Sequence, residues 1–170
     1  MIHVLRVSPD HVQWPLLVSH LTASGDARWV LVEESLPKGS HLIFLGAVIG
    51  ERIAGSLTLK IQPVVIPATE WAGERDLSLQ DPNGELIYEM FIQTFIVEEG
   101  YRRMGIGRAL QEEGLKQTKQ HGCYQMRSWS SLDKKENYQL KLGMGFGFHP
   151  EIQETVSGLK VSGGYFVKVV

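Results

Sequence analysis

The sequence has a single cysteine, Cys123, among 170 residues, so no intrachain disulfide can staple the fold and a reducing, cytoplasmic compartment is the expected setting. A small buried packing residue is the role expected of that thiol. The six histidines, at 3, 11, 20, 41, 121 and 149, show no paired ligand spacing, and there is no Cys/His cluster, so no metal site is expected. No apolar run approaches membrane-spanning length, and Met1-Ile2-His3-Val4-Leu5-Arg6 lacks the basic, then long apolar, layout of a signal peptide, so no membrane partner is expected. Basic excess is missing too. With 17 Lys and Arg against 19 Asp and Glu, the formal charge is −2, which argues against a nucleic-acid partner.

Two nucleotide signatures are also absent. No Gly-x-x-x-x-Gly-Lys-Ser/Thr run exists, and the dinucleotide pattern Gly-x-Gly-x-x-Gly fails because Leu110 stands at its third glycine. What the chain does have is 43% hydrophobic residues over a length that fills one core and is short for two, so residues 1–170 are expected to form a single domain.

Residues 95–110 are the most informative stretch. Phe95-Ile96-Val97 ends a buried strand, Glu98-Glu99-Gly100-Tyr101-Arg102-Arg103-Met104 forms a short basic turn, and Gly105-Ile106-Gly107-Arg108-Ala109-Leu110 opens an amphipathic helix. The first N–H groups of a helix have no partner within it, and glycines let an anion approach them closely. A helix terminus contributes only about 0.3–1 kcal/mol, so Arg102, Arg103 and Arg108 must share the work of holding a multiply charged ligand.

The remaining elements follow from pattern. Ile2 to Val7 reads as a strand and Ser8-Pro9-Asp10 as a helix start, with Val12, Leu16, Leu17 and Leu21 as the apolar stripe and Pro15 implying a kink or a later beginning. Ala27 to Leu36 reads as a short helix; its Trp29, Val32 and Glu33 are candidates for core packing or for an acceptor groove. His41 to Val48 and Arg52 to Ile61 form a β-hairpin around Ile49-Gly50-Glu51. The stretch from Gln62 to Glu85, with Trp71 inside it, is either a site loop or an extension of the hairpin closed by Asn83-Gly84. Its acidic residues Glu70, Glu74, Asp76 and Asp81 would suit a cationic acceptor or simply face water. Leu86 to Val97 is a central strand, helix 105–121 follows and stops at Gly122, and Gln125 to Ser130 returns as a parallel strand. Asp133 and Glu136 form a capping-box pattern for a helix ended by Gly143 at Leu142, and Gly145 to Gln153 and Gly164 to Val169 are terminal strands.

The spacing Arg102-x-x-Gly105-x-Gly107 after Ile96-Val97 resembles the cofactor signature of the GCN5-related N-acetyltransferase (GNAT) superfamily. The resemblance implies an α/β (α+β) fold: a mixed central sheet of about seven strands with helices on both faces, splayed between its fourth and fifth strands. It implies acetyl-CoA as cosubstrate without a metal. Phe95, Ile96 and Val97 are expected at the pantetheine, whose amides can pair with an unpartnered strand, and Arg102 to Arg108, Met104 included, at the diphosphate. It implies transfer by direct attack of a primary amine, on a small molecule or a peptide, with a homodimer as one state common in the family.

A base is needed because an alkyl ammonium of pKa about 10.4 must lose a proton near pH 7, at about 4–5 kcal/mol. Glu89 shares strand parity with Phe91, Gln93, Phe95 and Val97, and partial burial would raise its pKa toward the useful range. A solvated charge at the strand's start is the other reading. The family's leaving-group acid is a tyrosine before a Leu-Gly-Phe-like ending; aligning on Gly145-Phe146 puts Lys141 there, aligning on Gly143-Met144 puts Gln139 there, and Tyr138 is the nearby acid or a packing residue. Asn137 and Lys141 would touch pantetheine or phosphate, or face solvent. If no base works, the chain would be a non-catalytic acyl-CoA-binding or regulatory module; if the cradle binds nothing, a structural domain.

Overall fold

The computed structural model describes residues 2–31, 41–66, 76–155 and 157–170, the side chain of Trp29 excepted. Val32, Glu33, Glu70, Trp71 and Glu74 therefore lie outside the described residues.

Two hydrophobic clusters sandwich one sheet. Its strands are β1 (His3–Arg6), β2 (His41–Ile49), β3 (Arg52–Pro63), β6 (Tyr88–Val97), β7 (Gln125–Ser131), β8 (Gly147–Glu154) and β9 (Lys160–Val169), in the order β1-β2-β3-β6-β7-β9-β8. A small second sheet pairs β4 (Val65–Ile66) with β5 (Leu77–Ser78). All neighbouring pairs of the large sheet are antiparallel except β6 with β7. That one parallel step needs a crossover, and α3 (Ile106–Gln120) provides it. α3 buries Ile106, Leu110 and Gly114 against the face of the sheet that carries Leu57, Met90 and Met126. α1 (Trp14–Ala23) covers the opposite face, where Leu17 and Leu21 meet Val7, Val48 and Ile53. Burying each of those leucines contributes about 1.5–3 kcal/mol. α2 (Ala27–Val30) and α4 (Lys135–Gly143) complete the set.

The hairpin forms as expected, and the segment after it is partly an extension of it: Gln80 bridges to Leu86, and the Asp81 carboxylate accepts the N–H groups of Asn83 and Glu85 across the turn. Three local expectations change. Ser8-Pro9-Asp10 does not open a helix; α1 begins at Trp14 with Pro15 in its first turn, where a missing N–H is harmless, so Val12 is left 84% exposed and Leu16 42%. The capping box does not close, because the Asp133 carboxylate is taken by the Ser131 hydroxyl and Lys134 stands at the N-cap. Gly143 does not end α4; the turn closes one residue later, with the N–H groups of Met144, Gly145 and Phe146 donating back to Leu140, Lys141 and Leu142 carbonyls.

Candidate active site

β6 and β7 touch over only three residue pairs, Glu89 to Phe91 against Gln125 to Arg127. Beyond them β6 stays with β3 as far as Val97, while β7 stays with β9 as far as Ser131. The strands part where β6 carries a bulge: Thr58 faces Thr94 and Leu59 faces Ile92, leaving Gln93 without an opposite number. An extra residue bends and twists its strand, which here turns β6 away from β7.

The gap is a cleft of about 810 Å³. One wall is Gln93, Thr94, Phe95 and Val97; the other is Ser128 to Ser131; Asn137, Leu140 and Lys141 of α4 reach in from the side. Arg102, Arg103 and Gly105 to Arg108 surround its mouth. There a 3-10 turn at Glu99–Tyr101 leads to Arg103 at φ 66° and Gly105 at φ 85°. A side chain at such φ costs roughly 1–3 kcal/mol, and the turn carries it at Arg103 while glycine avoids it at the N-cap. Gly107 meets a different constraint: a Cβ there would stand 3.2 Å from the Leu140 side chain and 3.3 Å from that of Phe95, so both would have to shift. The first intrahelical bond recorded runs from Ala109 to Gly105, and among the described residues the N–H groups of Ile106, Gly107 and Arg108 have no protein acceptor. Three free donors and three exposed arginines thus converge on one opening, the arrangement a diphosphate requires. Inside the cleft, Thr94 Oγ1 and Asn137 Oδ1 are buried without partners, polar groups able to meet the amides of a pantetheine arm.

The model of the Acetyltransferase (GNAT) family matches residues 10–144. The chain belongs to that family. As a member it is an acetyl-CoA-dependent N-acetyltransferase. No protein of curated function matches its sequence significantly. Among solved structures, this acetyltransferase is similar to Arabidopsis thaliana NAA60 in complex with acetyl-CoA, at 20% identity and TM-score 0.71 over 100% of this chain and 99% of the other. It is similar to a chain of the NatC complex bound to Gag peptide and CoA (14%, TM-score 0.66, 99% and 98% covered). The ribosomal-protein-S18-alanine N-acetyltransferase from Escherichia coli aligns at 13% identity and TM-score 0.58, over 100% and 94%. At these identities the likeness is one of fold.

The acetyltransferase's side chains sort differently from their sequence expectations. Phe95, Val97, Arg102, Arg103, Gly105, Ile106, Gly107, Arg108, Asn137 and Lys141 meet at the cleft. Ile106 contributes backbone only, its side chain being core. Ile96 packs with the α1-side cluster, and Met104 is 54% exposed outside the lining.

Glu89 is the main correction. It does not line the cleft and is 0% exposed. Arg127 donates to both its oxygens, Nη2 to Oε1 at 2.6 Å and Nε to Oε2 at 2.8 Å, while Gln62 and Gln125 donate at 2.8 and 2.9 Å. The Arg127 guanidinium lies between the Phe91 and Tyr165 rings, 5.1 and 4.6 Å from their centroids. Burial pushes the Glu89 carboxyl up, but the hydrogen bonds from Arg127, Gln62 and Gln125 outweigh it, and the pKa falls below the ordinary range. That is opposite to the raised value a base would need. The parity argument fails at the bulge, since Phe95 and Val97 pack with Met90 and Ile92 on the α3 side, away from Glu89 and Phe91.

Tyr138 also stands apart. Its ring meets Phe148 and Phe166 edge-on at 5.2 and 4.8 Å, its hydroxyl donates to the Ser130 carbonyl at 3.0 Å, and burial followed by the Asp133 charge raises its pKa. Lys141, for which solvent exposure was one expectation, is 1% exposed; its Nζ donates to Ser128 Oγ and lies 5.3 Å from the Phe166 ring centroid. Desolvation lowers its pKa to about 7. The residues that sequence reasoning overlooked are Arg127, Ser128 and Ser130. Two serines alternating with Met126 on the inward face of β7 were the available signal.

Proposed function

We propose that this acetyltransferase acts by direct attack of a primary amine on the thioester, and that the amine is the α-amino group of a peptide. One observation carries the acceptor class: Glu89, the carboxylate expected to serve as base, is consumed by Arg127, Gln62 and Gln125. Among the described residues the carboxylates lining the cleft are Asp133 and Glu136, both exposed, with Asp133 bound to the Ser131 hydroxyl and 3.5 Å from Lys134. A site without a strong base favours an acceptor that loses its proton readily. An α-amine of pKa about 7.7–8.0 deprotonates at pH 7 for about 1 kcal/mol, against about 4–5 for a lysine side chain. The solved relatives named for NatC with a peptide and for an S18-alanine enzyme support the same class.

In this reading, the free N–H groups at the start of α3 and the guanidinium groups of Arg102, Arg103 and Arg108 hold the diphosphate, and Thr94 and Asn137 meet the pantetheine arm. A cytoplasmic setting fits Cys123, which is buried and free. The test is acetyl-CoA consumption against a panel of free-amino-terminal peptides, the same peptides blocked at the terminus but carrying lysine, amino acids and polyamines. Free α-amines should react at least about tenfold faster at pH 7 than blocked lysine peptides; equal rates would reject the acceptor class. Gly105→Glu, which adds both an unfavourable φ and a negative charge at the cradle, should abolish CoA binding by calorimetry.

A further inference from the structure

Among the described residues, Lys141 is the one buried cationic side chain lining the cleft. It sits near the C-terminal end of α4, is 1% exposed, and faces β7 at the level where β7 leaves β6. Such a charge is normally met by a carboxylate, because an unpaired buried ammonium is costly. Among the described residues none lies within ion-pair distance; the polar partner is the neutral hydroxyl of Ser128, with the Phe166 and Phe146 rings beside it. The titratable neighbours on the packed elements are accounted for elsewhere. Lys168 of β9 donates to the Met144 carbonyl, and Tyr138 of α4 donates to Ser130. Asp133, Lys134 and Glu136 lie exposed at the start of α4, and the arginines stand at the mouth.

We propose that Lys141 is the general acid that protonates the departing CoA sulfur. This rests on the acetyl-transfer reading of the cleft. As the acceptor nitrogen forms its bond to the acetyl carbon, the C–S bond breaks; the sulfur takes a proton from Lys141 Nζ, the acylated nitrogen releases its own proton to water, and Lys141 recovers one from solvent. Products are the amide and the free thiol. Acidity decides whether the transfer works. A thiol has a pKa of about 8.5 and an ordinary lysine about 10.4, so an ordinary ammonium would leave most of the thiolate charged. At about 7, where burial holds Lys141, the proton moves downhill to sulfur.

The test has two arms. First, the Lys141 side-chain carbon next to Nζ is followed by NMR against pH in the free protein, with CoA, and with CoA lacking its sulfur. The midpoint should move with CoA and much less with the desulfo compound; identical midpoints in both complexes would overturn the assignment. Second, kcat profiles of wild type, Lys141→Met and Lys141→Tyr are compared at saturating acceptor. Lys141→Met should lose about 10–100-fold in kcat, at the low end for acid catalysis because thiolates leave fairly well, with KM for acetyl-CoA within about twofold and the descending limb near pH 7 gone. Lys141→Tyr, whose phenol at about pKa 10 is no better matched to the thiol than an ordinary ammonium, should recover little of the rate, with any remaining limb shifted toward pH 10. A Lys141→Met protein that keeps both rate and limb beside an active wild type overturns this inference alone; a wild type inert toward every amine overturns the acetyl-transfer reading with it.

Discussion

Glu89 and Lys141 are both fully buried and both charged in water, yet the protein treats them in opposite ways. Glu89 sits where β6 and β7 are still paired, and its two oxygens receive donors from Arg127, Gln62 and Gln125. Lys141 sits beside the stretch where the same strands have parted and receives a single serine hydroxyl. A buried ion that is saturated with partners is fixed in its charge state, and its partners fix the register of neighbouring strands. A buried ion with one neutral partner is free to change charge. The closed part of the β6–β7 seam is therefore a clamp, and the open part is where proton chemistry belongs.

The clamp predicts the largest effect. Glu89→Ala leaves Arg127 facing a protein interior without its counter-ion, and should lower unfolding free energy by about 3–5 kcal/mol, toward the lower figure because the Arg127 side chain is 23% exposed and can reach water. Urea denaturation measures this. The folded-state pKa of Glu89 is depressed, so its contribution is present above the unfolded value of about 4.3 and is lost as pH falls through the lower folded value. The gap between wild type and variant should thus narrow below about pH 4. If Glu89→Ala instead kept its stability and lost turnover, the two residues would have to exchange roles.

Lys141 predicts a smaller effect of opposite sign. Its folded pKa of about 7 lies below the unfolded value of about 10.4, so between those limits the unfolded chain binds more protons and stability rises with pH. At pH 7 the folded protein carries a penalty on the order of 4 kcal/mol from this one side chain. Lys141→Met removes it and should stabilise the protein by about 1–4 kcal/mol at neutral pH, with the advantage fading as pH approaches 10. Denaturation curves at pH 7 and pH 10 check both parts. A residue that destabilises the fold while lining the cleft is what function, rather than packing, retains.

Neither residue's role was settled by the sequence, although one of two alignments put Lys141 at the family's acid position and much around the two residues was legible. The hairpin from His41 to Pro63 and the cradle from Glu98 to Arg108 depend on local chemistry: turn residues, glycines at positive φ or close approach, and basic side chains at a helix start. Such signals lie within a few residues of each other. The bulge at Gln93 is a property of how β6 pairs with β3, and it reversed the face assigned to Phe95 and Val97 relative to Glu89. The Glu89–Arg127 pair depends on a parallel register across 38 residues, which no local pattern encodes. For Lys141 the sequence left contact with the cofactor, the acid's position and plain solvent exposure all open, because its neighbours Gln139 and Leu142 are indeed exposed; only the docking of α4 on Ser128 buries it.

The smallest expected effect sharpens the contrast most. Tyr138 lies three residues before Lys141 and was the acid suggested by the family resemblance, but its ring is held by Phe148 and Phe166 and its hydroxyl is given to the Ser130 carbonyl. Tyr138→Phe keeps the ring packing and removes one hydrogen bond, so it should cost about 0.5–1.5 kcal/mol of stability and leave kcat within about twofold, with the pH profile unmoved. The Ser130 carbonyl it leaves behind is on a strand that borders the cleft, where water can replace the lost donor. A tyrosine acting as the acid would behave otherwise: its removal would depress kcat by tenfold or more and erase a limb near pH 10. Because Tyr138 and Lys141 share one helix and one serine-lined strand, comparing Tyr138→Phe with Lys141→Met holds the scaffold constant and asks which of the two protons reaches the sulfur.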